Sequence, residues 1–234
     1  MDQRTLLKPP PHNRPSAAPS TPQNPRLPPA PVSAHPSAII SESAMFQGTY
    51  PISIGRGAVL HPRARLFSTE GPIKIGEGSI VSEKAVIGSP PAPGGYGGGG
   101  EKTEGMPITI SANVTIGPLA VVRPGVHLHS GVVVESHAVI NRGVDIGGHS
   151  KICARCEVAQ GAKIKEWVVV WGVGKGFGLR RRVRAQGKVV SPVVFGAGEP
   201  VLEGRVIEDA RLMVLRKERE ALGKFIPQTA GKRK

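Results

Sequence analysis

The chain has 234 residues, of which 39% are hydrophobic and only 4% are aromatic, while Gly and Pro number 31 and 23. This length allows one folded core with appendages. No apolar run approaches the 18 or so residues of a membrane span, and no signal-peptide pattern opens the chain, so we predict neither.

The formal net charge of +14 is concentrated at the two ends. Residues 1–37 carry +3 and residues 173–234 carry +9, which leaves +2 for the middle. Nucleic-acid binding is disfavoured, because it would combine a basic face with aromatic stacking platforms, and aromatic residues are scarce. Basic ends are ordinary attractors of acidic partners.

Residues 1–37 are rich in proline and lack any apolar pattern, so we predict a disordered tail. A six-residue repeat starts at Ala38. Its early inward positions, which we call anchors, are interrupted by slips of two and three residues that fit outward bulges at the corners of a solenoid. These anchors are Ile40, Phe46, Ile54, Leu60, Leu66, Ile75, Val81 and Ile87.

Residues 89–107 break the repeat with prolines and a run of glycines, which predicts a flexible loop. A phosphate-binding loop is disfavoured, because no Lys-Ser/Thr pair and no helix follow the glycines.

An aliphatic anchor then returns at every sixth position from Ile110 to Val170, a regularity with chance odds of roughly 3 in 100,000 at this hydrophobic content. A second apolar or neutral residue, usually a smaller one, stands two positions before each anchor. Glycines follow several anchors, as at Gly117 and Gly147, and there we expect sharp corners that need unusual backbone angles. The anchors of this block are Ile110, Ile116, Val122, Leu128, Val134, Ile140, Ile146, Ile152, Val158, Ile164 and Val170.

A period of six fits a short strand plus a corner, repeated. Three such edges close a triangular prism with 18 residues per coil. We therefore predict an all-β solenoid of about six coils over residues 38–172. Hexapeptide solenoids of this kind resemble the left-handed parallel β-helix.

After Trp171 the period ends. We predict a basic linker over residues 173–203, an amphipathic helix over residues 204–226 that packs on the solenoid, and a basic tail over residues 227–234.

Seven histidines invite an enzymatic interpretation. Carbonic anhydrases of the γ class hold zinc on three histidines at a subunit seam, with a His-x4-His spacing that this chain lacks. His127 and His129 flank Leu128 and should point outward. We predict no metal site, no cofactor and solvent-facing histidines.

Hexapeptide acyltransferases, which use a histidine as base, are the second enzymatic alternative. His61, His127 and His129 are the candidates. His127 lies one coil before Asp145, which makes these two a possible pair.

Cys153 and Cys156 form a C-x-x-C motif, but the register turns Cys156 inward and Cys153 outward. We predict structural, reduced cysteines, as in a cytoplasmic protein.

Several segments resemble the dynactin subunit 6 family, which forms a β-helix at the pointed end of dynactin. They are residues 52–66, 70–78, 133–139, 168–172 and 179–183, with a helix near residues 212–227. The resemblance implies a non-enzymatic scaffold in the cytoplasm and cytoskeleton that supports dynein-driven microtubule transport and cargo selection. The implied partners are dynactin subunit 5 as a heterodimer, dynactin subunit 4 and the pointed-end actin-related protein.

Three residues complete the predicted sites. Trp167 and Trp171 are the candidates for partner binding, since aromatic residues are favoured in interface centres. Ser191 precedes a proline and is a candidate phosphorylation site. No catalytic residue is predicted, with an acyltransferase or γ-carbonic-anhydrase-like enzyme as the alternative.

Overall fold

The computed structural model describes residues 28–90, 105–172, 174–175, 180–183 and 204–226. They form 22 short strands and one helix, numbered in chain order. The strands are β1 (Val32–Ala34), β2 (Ile39–Ile40), β3 (Met45–Gly48), β4 (Ile52–Ile54), β5 (Val59–Leu60), β6 (Arg65–Ser68), β7 (Ile73–Ile75), β8 (Ile80–Val81), β9 (Val86–Gly88), β10 (Ile108–Ile110), β11 (Thr115–Ile116), β12 (Val121–Val122), β13 (His127–Leu128), β14 (Val133–Val134), β15 (Val139–Ile140), β16 (Asp145–Ile146), β17 (Lys151–Ile152), β18 (Cys156–Val158), β19 (Lys163–Ile164), β20 (Val168–Trp171), β21 (Gly174–Lys175) and β22 (Arg180–Val183), and the helix is α1 (Gly204–Phe225).

As far as β21 the chain visits three sheets in turn, so each strand pairs in parallel with the strand three places further along. Strand β22 departs from this order by pairing antiparallel with β20. The first sheet runs β1-β4-β7-β10-β13-β16-β19, the second begins at β2 and the third at β3. Six turns therefore separate β1 from β19, and at the usual strand spacing the prism is about 30 Å long. The solenoid of about six coils predicted from the repeat is confirmed, and it begins at β1, before the first predicted anchor.

The interior holds the predicted anchors. All eleven anchors between Ile110 and Val170 are buried, as are their smaller companions except the half-buried Ala162. Only the first two early anchors, Ile40 and Phe46, are half-buried, at the open end of the prism. Burying each aliphatic side chain contributes about 1.5–3 kcal/mol, so the regular stack of anchors is the main source of stability.

The glycines that follow anchors serve close approach of successive coils. A Cβ atom on Gly117 would lie 2.7 Å from the backbone nitrogen of Ser136, and one on Gly147 would lie 2.5 Å from that of Glu166. The expected unusual backbone angles occur at another position of the turn, for example at Gly125, where φ is +76°. The expectation of unusual backbone angles at Gly117 and Gly147 is thus wrong. At these two positions a side chain is excluded because the backbone of the next coil lies too close.

A bidentate ion pair ties distant coils together beside the predicted loop. The Arg142 guanidinium donates to both carboxylate oxygens of Glu70, with Nη2 2.7 Å from Oε1. The backbone nitrogen of Met106 donates to the Glu70 carbonyl at 2.8 Å. The Glu70 carboxylate raises the pKa of the Arg142 guanidinium above its usual value. Residues 91–104, most of the predicted loop, lie outside the described residues.

Helix α1 packs on the solenoid, as predicted, and it lies across the outer face of the second sheet. Leu215 and Ile226 are buried against Val59 and Ile80. Arg211 Nη2 donates to the Gly131 carbonyl at 2.7 Å, so the helix also contacts a corner several coils away. Among the described residues, no helix is long and apolar enough to span a membrane.

Candidate functional site

Three polar side chains meet on the outer face of the first sheet, where β13 pairs with β16. The register places His127 opposite Asp145 and Leu128 opposite Ile146. Because side chains alternate along a strand, the inward Leu128 turns both flanking imidazoles, His127 and His129, toward the outside. The predicted outward orientation and the predicted alignment of His127 with Asp145 agree with this register.

The closest contact is made by His129. Its Nε2 lies 3.0 Å from Asp145 Oδ1, a hydrogen-bond distance, whereas His127 Nδ1 lies 3.8 Å from the same oxygen. The two imidazole rings are tilted by 31° with their centroids 4.0 Å apart. All three side chains are a little over two-fifths exposed, which leaves the cluster open to a ligand.

Burial on this face lowers the pKa of His127 below the usual value for an imidazole. The neighbouring His129 lowers that pKa further, whereas the Asp145 carboxylate acts in the opposite direction. The neutral form of His127 is therefore favoured, and a neutral imidazole has a nitrogen lone pair for a proton or a metal.

A groove opens beside the cluster toward the C-terminal coil. It has a volume of about 480 Å³ and is lined by His129, Asp145, Gly147, Ile164, Lys165, Glu166 and Val168. Its walls combine apolar side chains, one cation and two carboxylates, and the His129–Asp145 pair lies on its rim. The groove is open to solvent, and it sets a few polar groups beside apolar side chains against which a small molecule can pack.

Sequence reasoning selected His127 as the partner of Asp145 and missed the bond from His129. No spacing signal marks this bond, because it joins residues that are 16 apart, two fewer than one coil, and depends on how the His129 side chain rotates.

The other candidates lie elsewhere. His61 is half-buried on the second sheet, where charges from Glu218 and Glu83 act on it. Trp167 stacks on His149 with ring centroids 4.4 Å apart. Trp171 lies opposite Arg180 in the antiparallel pairing of β20 with β22. A partner interface at Trp167 and Trp171 stays a prediction. Ser191 lies outside the described residues.

Neither Cys153 nor Cys156 is joined in a disulfide. Cys156 points inward as predicted, with Sγ 3.2 Å from the Gly172 carbonyl oxygen, and burial raises the pKa of its thiol. Cys153 is half-buried and packs against the core.

Comparisons with known proteins find the same solenoid fold in proteins described as transferases. The model of the family "Bacterial transferase hexapeptide (six repeats)" matches residues 107–142, in agreement with a left-handed β-helix of hexapeptide repeats. No curated protein matches the chain. A hexapeptide transferase family protein from Anaplasma phagocytophilum is 15% identical, with a TM-score of 0.56 over 85% of this chain and 97% of that one. A putative acetyltransferase from Bacillus cereus is 16% identical, with a TM-score of 0.57 over 82% of this chain and 95% of that one.

These matches correct the functional expectation drawn from the sequence. The expected membership in the dynactin subunit 6 family is wrong, because the matching family model and both solved structures are transferases. The expectation of a non-enzymatic scaffold in dynein transport is wrong on the same finding. The expected cytoskeletal location rested on the same resemblance and is unsupported. The expected dynactin partners stay untested.

Proposed function

We propose that this chain is an acyltransferase, with His129 as the general base and Asp145 as the residue that orients it. The observation that carries the proposal is the 3.0 Å contact between His129 Nε2 and Asp145 Oδ1 on the rim of the groove. The transferase names of the matching family and structures support the class of reaction.

The hydrogen bond selects one form of the imidazole. When Nε2 carries the proton and donates it to the Asp145 carboxylate, the lone pair is left on Nδ1. The carboxylate also stabilises the imidazolium that forms once Nδ1 accepts a second proton. This is the general arrangement of a base held by a third group.

The reaction follows from this arrangement. Nδ1 of His129 removes the proton from a hydroxyl or amine acceptor while the acceptor atom attacks the carbonyl carbon of an acyl thioester. The new carbon–oxygen or carbon–nitrogen bond forms, the carbon–sulfur bond breaks, and the imidazolium returns the proton to the departing thiolate. One positioned base of this type contributes about 10²–10⁴-fold to the rate.

Two lysines beside the groove offer contacts for the phosphates of a donor such as acetyl-CoA, although Asp145 and Glu166 on the same lining oppose an anion. Lys165 lines the groove and is exposed, and Lys163 lies one coil after His127's partner Asp145, with their Cα atoms in register. Cations in a cleft raise the local concentration of anionic substrates. We also infer a cytoplasmic location, since both cysteines are in the thiol form, as is usual in reducing compartments.

The test is release of free thiol from acetyl-CoA by the purified chain, in the presence of a chelator and a panel of small hydroxyl and amine acceptors. We expect acceptor-dependent release, and a loss of about 10²–10⁴-fold in kcat/KM for His129→Ala. Asp145→Asn should give a smaller loss, because it keeps the side-chain shape but removes the charge that stabilises the imidazolium.

His137→Asn is the matched control. His137 is exposed at a corner with φ +59°, which asparagine tolerates, and it lies outside the groove. Its replacement should leave thiol release unchanged. Absence of acceptor-dependent release across the panel, or full activity in His129→Ala, would contradict the proposed reaction.

A further inference from the structure

We propose that His127, His129 and Asp145 also form a binding site for a divalent transition metal of the zinc class. The two imidazoles supply Nδ1 and Nε2, the carboxylate supplies one oxygen, and a fourth position remains open to the groove. This site rests on residues of one chain. It differs from the seam of three histidines considered in the sequence, whose His-x4-His spacing is absent.

The distances between ligand atoms fit a tetrahedral ion. With metal–ligand bonds of about 2.0–2.1 Å, neighbouring ligand atoms of a tetrahedron lie about 3.4 Å apart. The distances from Asp145 Oδ1 to the nitrogens of His129 and His127, 3.0 and 3.8 Å, lie on either side of this value. The nitrogens and the oxygen all lie within 4.8 Å of one another.

The backbone already holds the three ligands in position. Within β13 and its flank, the backbone nitrogens of His127 and His129 donate to the carbonyls of Val144 and Ile146 at 2.9 and 3.0 Å. Asp145 lies between those two acceptors, on the next coil. Binding therefore needs only side-chain rotations of half-exposed groups, and a site on rigid strands keeps its geometry.

The donor set indicates the class of metal. Imidazole nitrogens suit zinc and its neighbours in the first transition row, whereas Mg²⁺ and Ca²⁺ prefer oxygen ligands only. Three protein ligands with an open fourth position are typical of zinc sites that exchange water or ligands. Lys163 opposes cation binding, because it is exposed and lies in register beside Asp145.

Metal binding and proton transfer compete for His129, an inference that rests on the proposed function. If Nε2 binds the metal, it no longer donates its proton to Asp145, and the ion occupies the side of the ring that faces the carboxylate. Zn²⁺ is then an inhibitor of acyl transfer, and a chelator restores the activity.

The test is calorimetric titration of the chelator-stripped 234-residue chain with Zn²⁺, together with the visible absorption of bound Co²⁺. We expect one equivalent of metal and the intense absorption of a tetrahedral Co²⁺ centre. His127→Ala, His129→Ala and Asp145→Asn should each weaken binding by at least about tenfold. Lys163→Ala should tighten it by up to about fivefold, the range of one exposed charge pair.

Control variants exclude other ligands. His137→Asn and Cys153→Ser should bind Zn²⁺ like the unmodified chain. Absence of binding, or binding that survives Asp145→Asn and His127→Ala unchanged, would overturn the metal site.

The two proposals fail separately, because binding is measured without donor and acyl transfer is measured in chelator. Metal binding with no transfer activity would overturn the acyltransferase alone. Transfer activity with no metal binding would overturn the metal site alone. Transfer that continues undiminished at saturating Zn²⁺ would overturn the competition at His129.

Discussion

At the scale of single residues, His61 is the half-buried imidazole whose protonation the fold opposes. Its Nε2 is buried and has no hydrogen-bond partner among the described residues. Burial lowers the pKa of His61, and the charges of Glu218 on α1 and Glu83 before β9 offset only part of that effect. The charged form is therefore less stable in the folded chain than in the unfolded one.

The stability of the chain should consequently fall when His61 protonates. The unfolded chain takes up this proton near pH 6.5, whereas the folded chain takes it up only at lower pH. The contribution of neutral His61 to the free energy of unfolding is thus complete above pH 6.5. It is lost as the pH falls from there toward the lower pKa of His61 in the folded chain. Urea unfolding at pH 7.5 and pH 5.5 checks this, and His61→Gln should reduce the difference between the two values. An equal pH dependence in both proteins would contradict the assignment to His61.

The candidate site shows what residue-level reasoning from sequence achieves and where it stops. The 18-residue coil aligned His127 with Asp145, because register follows from the period of the repeat. The hydrogen bond from His129 depends on a side-chain rotation, and rotamers do not follow from spacing. The His-x4-His spacing expected of a zinc site lies within one segment, whereas this cluster joins two successive coils.

At the scale of elements, the hexad pattern predicts short strands well, since each needs only one inward anchor. Strand β22, which pairs antiparallel with β20, carries no such period, and its residues fall in the segment predicted to be a linker. Helix α1 was predictable because its apolar residues return on one face. Its docking place was not, since Val59 and Ile80 are outward positions that look like ordinary surface residues of strands.

Docking of α1 depends on a small apolar cluster outside the main core. Leu215 is 7% exposed and packs against that cluster, whereas its neighbour Val214 is 65% exposed. Leu215→Ala should weaken docking by about 2 kcal/mol, the lower end of the range for buried leucines. Hydrogen exchange of the α1 amides should then speed up, while the strands of the solenoid keep their protection.

Val214→Ala is the matched control, since it shortens an exposed side chain on the same turn. We expect the free energy of opening of the α1 amides, obtained from their exchange rates, to stay within about 0.5 kcal/mol of that in the unmodified chain. Equal acceleration by both substitutions would show that the helix is held by its own propensity and not by the contact with Val59 and Ile80.

At the scale of the whole molecule, the solenoid is a stack in which each coil contacts only its neighbours. The stability of such a stack is close to a sum of coil terms and nearest-neighbour terms. The His127–His129–Asp145 cluster joins two interior coils, at β13 and β16, so its geometry depends on the strength of that one interface. The next coil contributes to the site through the groove wall at Ile164, Lys165, Glu166 and Val168.

In such a stack, a substitution that creates a cavity should accelerate hydrogen exchange only in the coils next to that cavity. Leu128 is fully buried in a central coil between the two site histidines, whereas Ile164, 5% exposed, is in β19 at the end of the first sheet. Leu128→Ala should cost about 2–5 kcal/mol and accelerate hydrogen exchange in β10, β13 and β16, which stack on both sides of the cavity. Ile164→Ala should accelerate exchange in β19 and β16 and leave β10 protected. Equal acceleration throughout the prism for both variants would mean that the coils unfold as one unit, contrary to a nearest-neighbour stack.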